Sequence, residues 1–349
     1  GDWGYWFAVN AYCAAGMVET AAALRDIKHP EAERIERQAS AFRYDLRAAI
    51  LRSTERAPVT RMRDGTYSPY VPTRAVQRFR SFGPMRVQYY SRYNKPDVLP
   101  CYRLSATREV LYGPMILLNL GIFGPHEPIA DWILDDWEDN LTLSSSGGFN
   151  VHGFTDDALW FSQGGMVFQA NLQNPILVYL LRGEAPAAIR GTYNALASCL
   201  YPDVNTLTEE YRTWRHASGP FYKSPDEARF VNRLRDMLVL ESGNELNLAG
   251  GVPRRWLSDK QGVQVDQINS IFGPVAFTLR PGTEPGTVMA HVVPPQRHKP
   301  DRLWLYARLP DRRPLREVQL NGQPWSKFEP NRERILIPTD AGPVDLVIK

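Results

Sequence analysis

Cysteine is scarce in this sequence, which has three cysteines among 349 residues. Cys13, Cys101 and Cys199 lie far apart, and no two of them are spaced as C-x-x-C. A disulfide-rich scaffold and a zinc ribbon both need several cysteines at short spacings, so the sequence excludes both. Isolated thiols of this kind are typical of small buried hydrophobic side chains, and they do not indicate a cellular compartment.

Long apolar runs and an excess of one charge are also missing. The longest apolar stretches, such as residues 115–118 and 178–181, are far shorter than the roughly 20 residues of a membrane span, so we predict no membrane crossing. The 41 Lys and Arg residues against 38 Asp and Glu residues give a net charge of +3. The basic residues form no clustered stripe interleaved with aromatic residues, which argues against nucleic-acid binding.

Sequence motifs of several enzyme classes are absent as well. The serine run at 144–146 lacks the glycine that precedes the nucleophile in a G-x-S-x-G elbow. Gly164-Gly165 lacks the Lys-Ser/Thr pair of a phosphate-binding loop and the third glycine of a dinucleotide fingerprint. The six histidines include no i, i+4 pair that would bind a metal from one helix face. Nucleotide and redox chemistry are therefore disfavoured, and we predict no cofactor.

Helical periodicity dominates the sequence before residue 250. Residues 5–26 and 31–55 each carry apolar side chains at helical spacing and are separated by His29-Pro30, which predicts an antiparallel helical hairpin. The stretch 57–103 is long, irregular and rich in aromatic residues, and we expect it to cover a cleft. Further helices are predicted at 105–122, 127–141, 164–182, 184–199 and 225–241.

After Gly250-Gly251 the sequence changes to short runs of branched or alternating apolar residues. Such runs are typical of β-strands, and they occur at 288–293, 303–309, 318–320, 334–337 and 344–348. Asn321-Gly322 lies directly after one run and predicts a type I′ hairpin turn. The sequence therefore predicts a mainly helical region at 1–250 followed by a β-sandwich at 251–349.

Four stretches carry a resemblance to a known family: residues 1–6 (GDWGYW), 161–171 (FSQGGMVFQAN), 208–211 (TEEY) and 246–257 (LNLAGGVPRRWL). Together with serial helical hairpins and a terminal β-domain, they resemble the six-hairpin (α/α)6 barrel of glycoside hydrolases. The pattern is similar to the inverting trehalases, processing α-glucosidases and α-L-rhamnosidases. The resemblance favours a secreted or periplasmic location.

The resemblance implies more helices than this chain contains. Such a barrel has twelve helices, and the pattern here predicts six or seven, so the chain corresponds to about half of the (α/α) toroid. Each hairpin of a toroid buries its apolar surface against its neighbours. We therefore expect an N-terminal segment or a companion chain to complete the barrel. An oligosaccharide or polysaccharide substrate follows from the same resemblance.

Hydrolysis with inversion needs one carboxylic acid that protonates the glycosidic oxygen and a second carboxylate that activates water. Glu209 and Glu210 precede Tyr211 in a Glu-x-Tyr pattern that resembles the loop of the general base, and Glu209 fits the spacing best. Asp2, close to Trp3 and Trp6, resembles the general acid. The structural alternatives are the first turn of a helix capped by Thr208 for the two glutamates, and a frayed terminus for Asp2.

Asp136 is the acidic residue of the run 131–139 that helical spacing assigns to the apolar face with Ile133 and Trp137. It is either paired structurally or part of a cleft, because an unpaired buried carboxylate is costly. We expect the other acids of the run to be solvated. The predicted substrate-binding residues are Trp3, Trp6, Asp136, His152, Asp156, Asp157, Trp160, Gln169, Asn171, Tyr211 and Trp214.

Other assignments stay open at this level. Asp156 and Asp157 precede a predicted helix and could be caps, and a calcium ion in their loop is possible although no known calcium motif is present. A helical-toroid polysaccharide lyase would use a tyrosine or histidine as base beside a neutralising Arg; the residues available are Tyr89, Tyr90, Tyr93, His152 and Arg212. A further alternative is a non-catalytic glycan-binding or scaffold subunit.

Overall fold

The computed structural model describes residues 5–62, 64–75, 113–141, 175–201, 204–207, 210–213, 216–218, 224–258, 262–340 and 342–349. Within these ranges the chain forms seven α-helices and seventeen β-strands, so it is a mixed α and β protein. It divides into two compact units. Unit 1 comprises Gly1–Val178 and Arg190–Phe230, and unit 2 comprises Tyr179–Ile189 and Val231–Lys349.

The first two helices form the predicted hairpin. Helix α1 spans Phe7–Asp26 and helix α2 spans Ala32–Glu55, close to the predicted limits. Arg25, in the last turn of α1, forms an ion pair with Glu36 near the start of α2. The chain turns back over residues 27–31 and the two helices pack against each other, which makes an antiparallel hairpin.

Helix α1 is apolar on both its buried and its exposed side. Small side chains such as Ala11 and Ala14 are buried, whereas Val9 and Tyr12 are about half exposed. By length and composition α1 could cross a membrane, and 28% of its most apolar window is buried inside the structure. A buried core helix of a globular protein meets the same criteria, so this helix is weak evidence for a membrane span.

The rest of unit 1 consists of short elements. A small hairpin joins β1 (Val59–Arg61) to β2 (Tyr67–Pro69) within the stretch predicted to be irregular. Its turn is stabilised by Asp64, whose carboxylate accepts a hydrogen bond of 2.9 Å from the backbone N–H of Thr66. The next elements are α3 (Met115–Asn119), α4 (Pro128–Asp136) and a π-helical turn at Trp137–Leu141. The predicted helices 105–122 and 164–182 lie partly outside the described residues.

Two further helices and two small hairpins precede the last helix. Helix α5 is Pro175–Arg182 and helix α6 is Ala185–Cys199. They are followed by a hairpin of β3 (Leu200–Tyr201) with β4 (Thr206–Leu207) and another of β5 (Glu210–Thr213) with β6 (His216–Ser218). Helix α7 spans Ser224–Leu238, three residues shorter at its end than predicted, because Val239 begins a strand.

Unit 2 contains two β-sheets. Their strands are β7 (Val239–Ser242), β8 (Glu245–Leu248), β9 (Val263–Ser270), β10 (Gly273–Pro281), β11 (Val288–Val293), β12 (Arg302–Tyr306), β13 (Val318–Leu320), β14 (Gln323–Pro324), β15 (Phe328–Glu329), β16 (Arg334–Ile337) and β17 (Val344–Ile348). One sheet has the order β14-β13-β17-β11-β10-β9, and the other has the order β15-β16-β12-β8-β7. Within the second sheet, β12 and β8 are parallel.

The two sheets share one hydrophobic core. Alternate residues of both sheets belong to it, including Leu246 and Leu305 from one and Phe277 and Leu346 from the other. This is the packing of a β-sandwich. The turn at Asn321-Gly322 has φ values of 51° and 76°, and Leu320 pairs with Gln323, so the predicted type I′ hairpin is confirmed. The domain limit at residue 250 and the helical toroid stay predictions.

Candidate functional site

Most of the residues predicted to act on a substrate lie outside the described part of the chain. These are Asp2, Trp3, His152, Asp156, Asp157, Trp160, Gln169, Asn171, Glu209 and Trp214. Their roles stay predictions. Tyr89, Tyr90 and Tyr93, the tyrosines of the lyase alternative, also lie outside the described residues.

Glu210 and Tyr211 lie in strand β5, whose backbone pairs with β6. Glu210 is opposite Ser218, and Tyr211 is opposite Ala217. The structural alternative that these residues form the first turn of a helix is therefore wrong, because their backbone is extended and makes cross-strand hydrogen bonds. The hairpin lies between helices α6 and α7 in the sequence.

The strand that precedes Glu210 is held by a carboxylate from helix α7. The backbone N–H of Leu207, in β4, donates to Oε1 of Glu227 at 2.9 Å. Leu207 precedes Glu210 by three residues, so their backbones are at most about 11 Å apart. Glu227 lies in the first turn of α7, next to the buried carboxyl of Asp226. Glu227 was not among the predicted site residues.

Among the predicted substrate-binding residues that the structure describes, Asp136 has the surroundings that best fit a binding site. It is 8% exposed at the end of α4, whereas Asp131 and Asp135 on the same helix are exposed, as the helical spacing predicted. Asp136 lines a cavity of about 10 Å³ that we call the Asp136 cavity. The residues that line it are Val71, Pro114, Met115, Trp132, Ile133, Asp136 and Trp137.

Trp137 begins the π-helical turn directly after Asp136. Its side chain is 2% exposed, and its indole Nε1 is buried with no hydrogen-bond partner in the described part of the chain. A π-helical turn is uncommon and occurs often at functional sites. Asp136 and Trp137 are neighbours at the junction of the two helix types, and both line the same cavity.

Trp6 is connected to the Asp136 cavity by one short segment. Trp6 forms a backbone bridge with Arg74, whose guanidinium lies 5.5 Å from the Trp6 ring centre. The first residue of α1, Phe7, donates its N–H to the Thr73 carbonyl at 3.0 Å. Val71 of the same segment lines the cavity, and Val71 and Arg74 are at most about 11 Å apart. Two of the predicted substrate-binding residues, Trp6 and Asp136, therefore flank residues 71–74.

Ion pairs hold the elements around the cavity. Arg47 of α2 makes two hydrogen bonds, of 3.1 and 2.7 Å, to the carboxylate of Glu127, which immediately precedes α4. The hydrogen bond from Arg47 lowers the pKa of Glu127 below its usual value. On the other side, Arg190 of α6 donates to Glu138 of the π-helical turn at 2.6 Å. Glu138 is thus paired, which corrects the expectation that it is simply solvated.

Metal binding is not indicated by the residues that can be described. Within the described ranges, no group of three or more His, Cys, Asp or Glu side chains could hold a metal ion. The loop around Asp156 and Asp157, for which calcium was considered, lies outside those ranges. A calcium site there stays a prediction.

Comparison with known proteins finds only distant structural similarity. No known protein family and no curated protein matches this chain. Among solved structures, the chain is similar to one described as a glycoside hydrolase, with a TM-score of 0.38 and 12% sequence identity. The similarity covers 70% of this chain and 46% of that chain, so this chain spans less than half the length of that structure.

Proposed function

We propose that this protein is a glycoside hydrolase that binds a sugar at the Asp136 cavity. The observation that carries the proposal is a buried carboxyl among aromatic rings: Asp136 lines a cavity together with Trp132 and Trp137. Indole faces stack on the apolar faces of sugar rings, and a carboxylate accepts hydrogen bonds from sugar hydroxyls. The segment 71–74 connects this cavity to Trp6, so further aromatic surface lies close by.

In this proposal the bond is cleaved with inversion by two carboxyl groups. Asp2 is the general acid that protonates the leaving oxygen, and Glu209 or Glu210 is the base that deprotonates the attacking water. Inversion requires the two carboxyl groups to be about 6.5–9.5 Å apart, which leaves room for that water. Support comes from the sequence pattern and from the extended backbone of Glu210, which pairs with strand β6. Three residues earlier, Leu207 is held by Glu227 of helix α7. We further propose exo-action, from the family resemblance alone.

The finer architecture is part of the same proposal. The helices of unit 1 would be half of an (α/α) toroid, completed by an N-terminal segment or a companion chain. The exposed apolar side chains of α1, such as Val9 and Tyr12, support this idea because a toroid hairpin buries both of its sides against neighbours.

Hydrolysis assays with matched variants test the catalytic proposal. The purified chain is incubated with a panel of aryl glycosides and reduced oligosaccharides, and product sugars are quantified. Asp2→Asn, Glu209→Gln and Glu210→Gln each remove an ionisable group at little cost in shape, and Glu19→Gln on an exposed position of α1 is the control. We expect the acid and base variants to lose about 10²- to 10⁴-fold in kcat, and the control to keep its activity.

The products separate this reaction from the alternatives. Proton NMR of the first sugar released should show the anomer opposite to that of the substrate, and one sugar at a time should leave the chain end. An unsaturated sugar product, with full activity in Glu209→Gln and Glu210→Gln, would identify a lyase. Sugar binding without any hydrolysis would identify a glycan-binding subunit, and either result contradicts the proposal.

A further inference from the structure

Three charged side chains of unit 2 form a cluster that the proposed activity does not use. Arg254 lies in a 3₁₀ turn at Arg254–Leu257, Arg308 follows strand β12 by two residues, and Glu333 immediately precedes β16. Nη2 of Arg254 lies 2.6 Å from Oε1 of Glu333, and Nη1 of Arg254 donates to the Leu309 carbonyl at 2.9 Å. We call these three residues the Arg308 cluster. Two cationic guanidinium groups and one carboxylate give it a net charge of +1.

Arg308 is almost completely buried but uses little of its hydrogen-bonding capacity. Its side chain is 9% exposed, and a guanidinium carries five N–H donors. Within the described residues it makes one hydrogen bond, a long one of 3.4 Å from Nη1 to the Ala249 carbonyl, which also accepts from the backbone N–H of Val252. Its Nε lies 3.7 Å from Oε2 of Glu333, which makes an ion pair but is too long for a hydrogen bond. Most of the Arg308 donors are therefore left for a further acceptor.

Solvent reaches these remaining donors. No nitrogen of Arg308 is among the fully enclosed side-chain atoms that have no hydrogen-bond partner in the described part of the chain. The guanidinium is nevertheless held in place, because the ring centre of Tyr306 lies 5.4 Å from its Cζ and the Ala249 carbonyl accepts from its Nη1. A small ligand can therefore approach the donors from the solvent side and meet a guanidinium whose orientation is already fixed.

The charge and the donor geometry select the kind of ligand. Burial lowers the pKa of Arg308, but a guanidinium keeps its proton in proteins, so a positive charge stays in a poorly solvated place. The net charge of +1 repels a cation, and a neutral hydroxyl supplies an acceptor without balancing the charge. A carboxylate, sulfate or phosphate group supplies a negative charge together with two oxygens that match the guanidinium fork.

We propose that the Arg308 cluster binds a small oxyanion, with Arg308 as the main donor and Arg254 as a second positive charge. The oxyanion is the carboxylate of an acidic sugar or a free sulfate or phosphate ion, which share the same recognition chemistry. The site does not depend on the proposed hydrolysis, because its three residues belong to unit 2 and none of them is proposed for catalysis. No local pattern indicates the site, since the three residues lie far apart in the sequence.

Calorimetric titration of the full chain tests this site. The probes are sulfate, phosphate, D-glucuronate and D-galacturonate, all at one ionic strength held with sodium chloride. We expect at least one of the four anions to bind, and Arg308→Met to weaken that binding by about tenfold or more, because charge-assisted hydrogen bonds are lost. Arg280→Met is the matched control, since Arg280 is an exposed arginine of β10 that donates to Gln264, and it should bind like wild type.

Two further variants keep the test decisive if Arg308→Met does not fold. Arg308→Lys keeps the positive charge but loses the planar fork, so binding should still weaken by about fivefold or more. Glu333→Gln removes the competing carboxylate and raises the charge of the cluster from +1 to +2, so binding should tighten by about threefold or more. A purely structural role of the cluster would not produce this gain.

The outcomes decide both the site and the source of the anion. Tighter binding of a uronate than of sulfate and phosphate, weakened in the Arg308 variants, supports the site and identifies an acidic sugar as its ligand. Equal or tighter binding of sulfate or phosphate, weakened in the same variants, supports the site and identifies a free oxyanion. Binding of none of the four anions, or binding that is unchanged in the Arg308 variants, overturns the site, whether or not the chain hydrolyses glycosides.

Discussion

The β-sandwich of unit 2 and the α1–α2 hairpin of unit 1 are both rich in apolar residues, but they bury them very differently. In β10, alternate residues Val275, Phe277 and Leu279 are buried in a core shared by two sheets. In α1, apolar residues surround the helix, and Val9 and Tyr12 remain about half exposed. In a strand with alternating residues, every apolar side chain points into the same core. A helix that is apolar on all sides has more apolar surface than the described elements around it cover.

This difference implies that the stability of the two regions depends on different interactions. The sandwich is stabilised by apolar burial, which scales with the area removed from water. The elements around the Asp136 cavity are instead linked by hydrogen bonds between charged side chains, such as Arg47, Glu127 and Arg190. Substitutions in the two regions should therefore differ in size and in pH dependence.

The largest effect is expected for Phe277→Ala in the sandwich core. Phe277 is 1% exposed, and removing a buried ring leaves a cavity, so the free energy of unfolding should fall by about 3–5 kcal/mol. Urea unfolding followed by circular dichroism measures it. Met289→Ala in the neighbouring strand β11 is the control, because Met289 is about half exposed and its truncation should cost well under about 1 kcal/mol. Equal losses in both variants would mean that the shared core is not the main source of stability.

The next effect concerns Asp236, whose largely buried carboxyl lies at the end of α7. Burial raises its pKa from 3.8 to about 6, although Arg235 lies 3.9 Å away. The folded state therefore binds this proton more tightly than the unfolded chain does, and stability should fall as the pH rises from about 4 to about 6. Asp236→Asn removes this loss, so it should stabilise the protein by on the order of 3 kcal/mol above pH 7 and by little near pH 3.5.

Urea unfolding at pH 3.5, 6 and 8 checks the Asp236 prediction. Asp340→Asn, at an exposed aspartate of the same unit, is the matched control and should show no gain at any pH. A destabilised Asp236→Asn at pH 8 would mean that attraction by Arg233 and Arg235 outweighs burial, and the prediction would be wrong.

A smaller effect with the opposite pH dependence is expected in unit 1. The hydrogen bond from Arg47 lowers the pKa of Glu127, so this carboxylate stabilises the fold above its usual pKa and the stabilisation is lost as the pH falls through the lowered pKa. Both side chains are about one third exposed, which limits the contribution to about 1 kcal/mol. Glu127→Gln should lose that amount at pH 7 and almost nothing at strongly acidic pH in urea unfolding, while Glu33→Gln, more exposed on α2, should be neutral.

The sandwich shows what local pattern can predict. Five strands from β11 to β17 and the Asn321-Gly322 turn follow from alternation and turn residues near each other in sequence. Strand β7 was missed because Met237 and Leu238 continue the apolar run of α7 into Val239, so periodicity gives no break. The parallel pairing of β8 with β12 joins residues far apart in sequence, and no local pattern encodes it.

The candidate site was predictable to a similar extent. The burial of Asp136 follows from helical spacing, because it needs only the residues of one helix. The π-helical turn that begins at Trp137, and the contacts Arg47 to Glu127 and Arg190 to Glu138, were not predicted. These contacts link residues tens of positions apart, so they depend on how the helices pack rather than on local sequence.

The smallest effect is expected on the outer side of α1, where the comparison between the two regions is sharpest. Val9→Ser and Tyr12→Ser replace side chains that are about half exposed, so each should change the free energy of unfolding of this chain by less than about 0.5 kcal/mol. Urea unfolding measures both, with the buried Ala14→Ser in the same helix as the destabilising reference. A loss above about 1.5 kcal/mol for either outer variant would mean that this side of α1 is already covered within the chain. No companion would then be needed there, since the apolar side chains of a half toroid should be inert to substitution until a partner covers them.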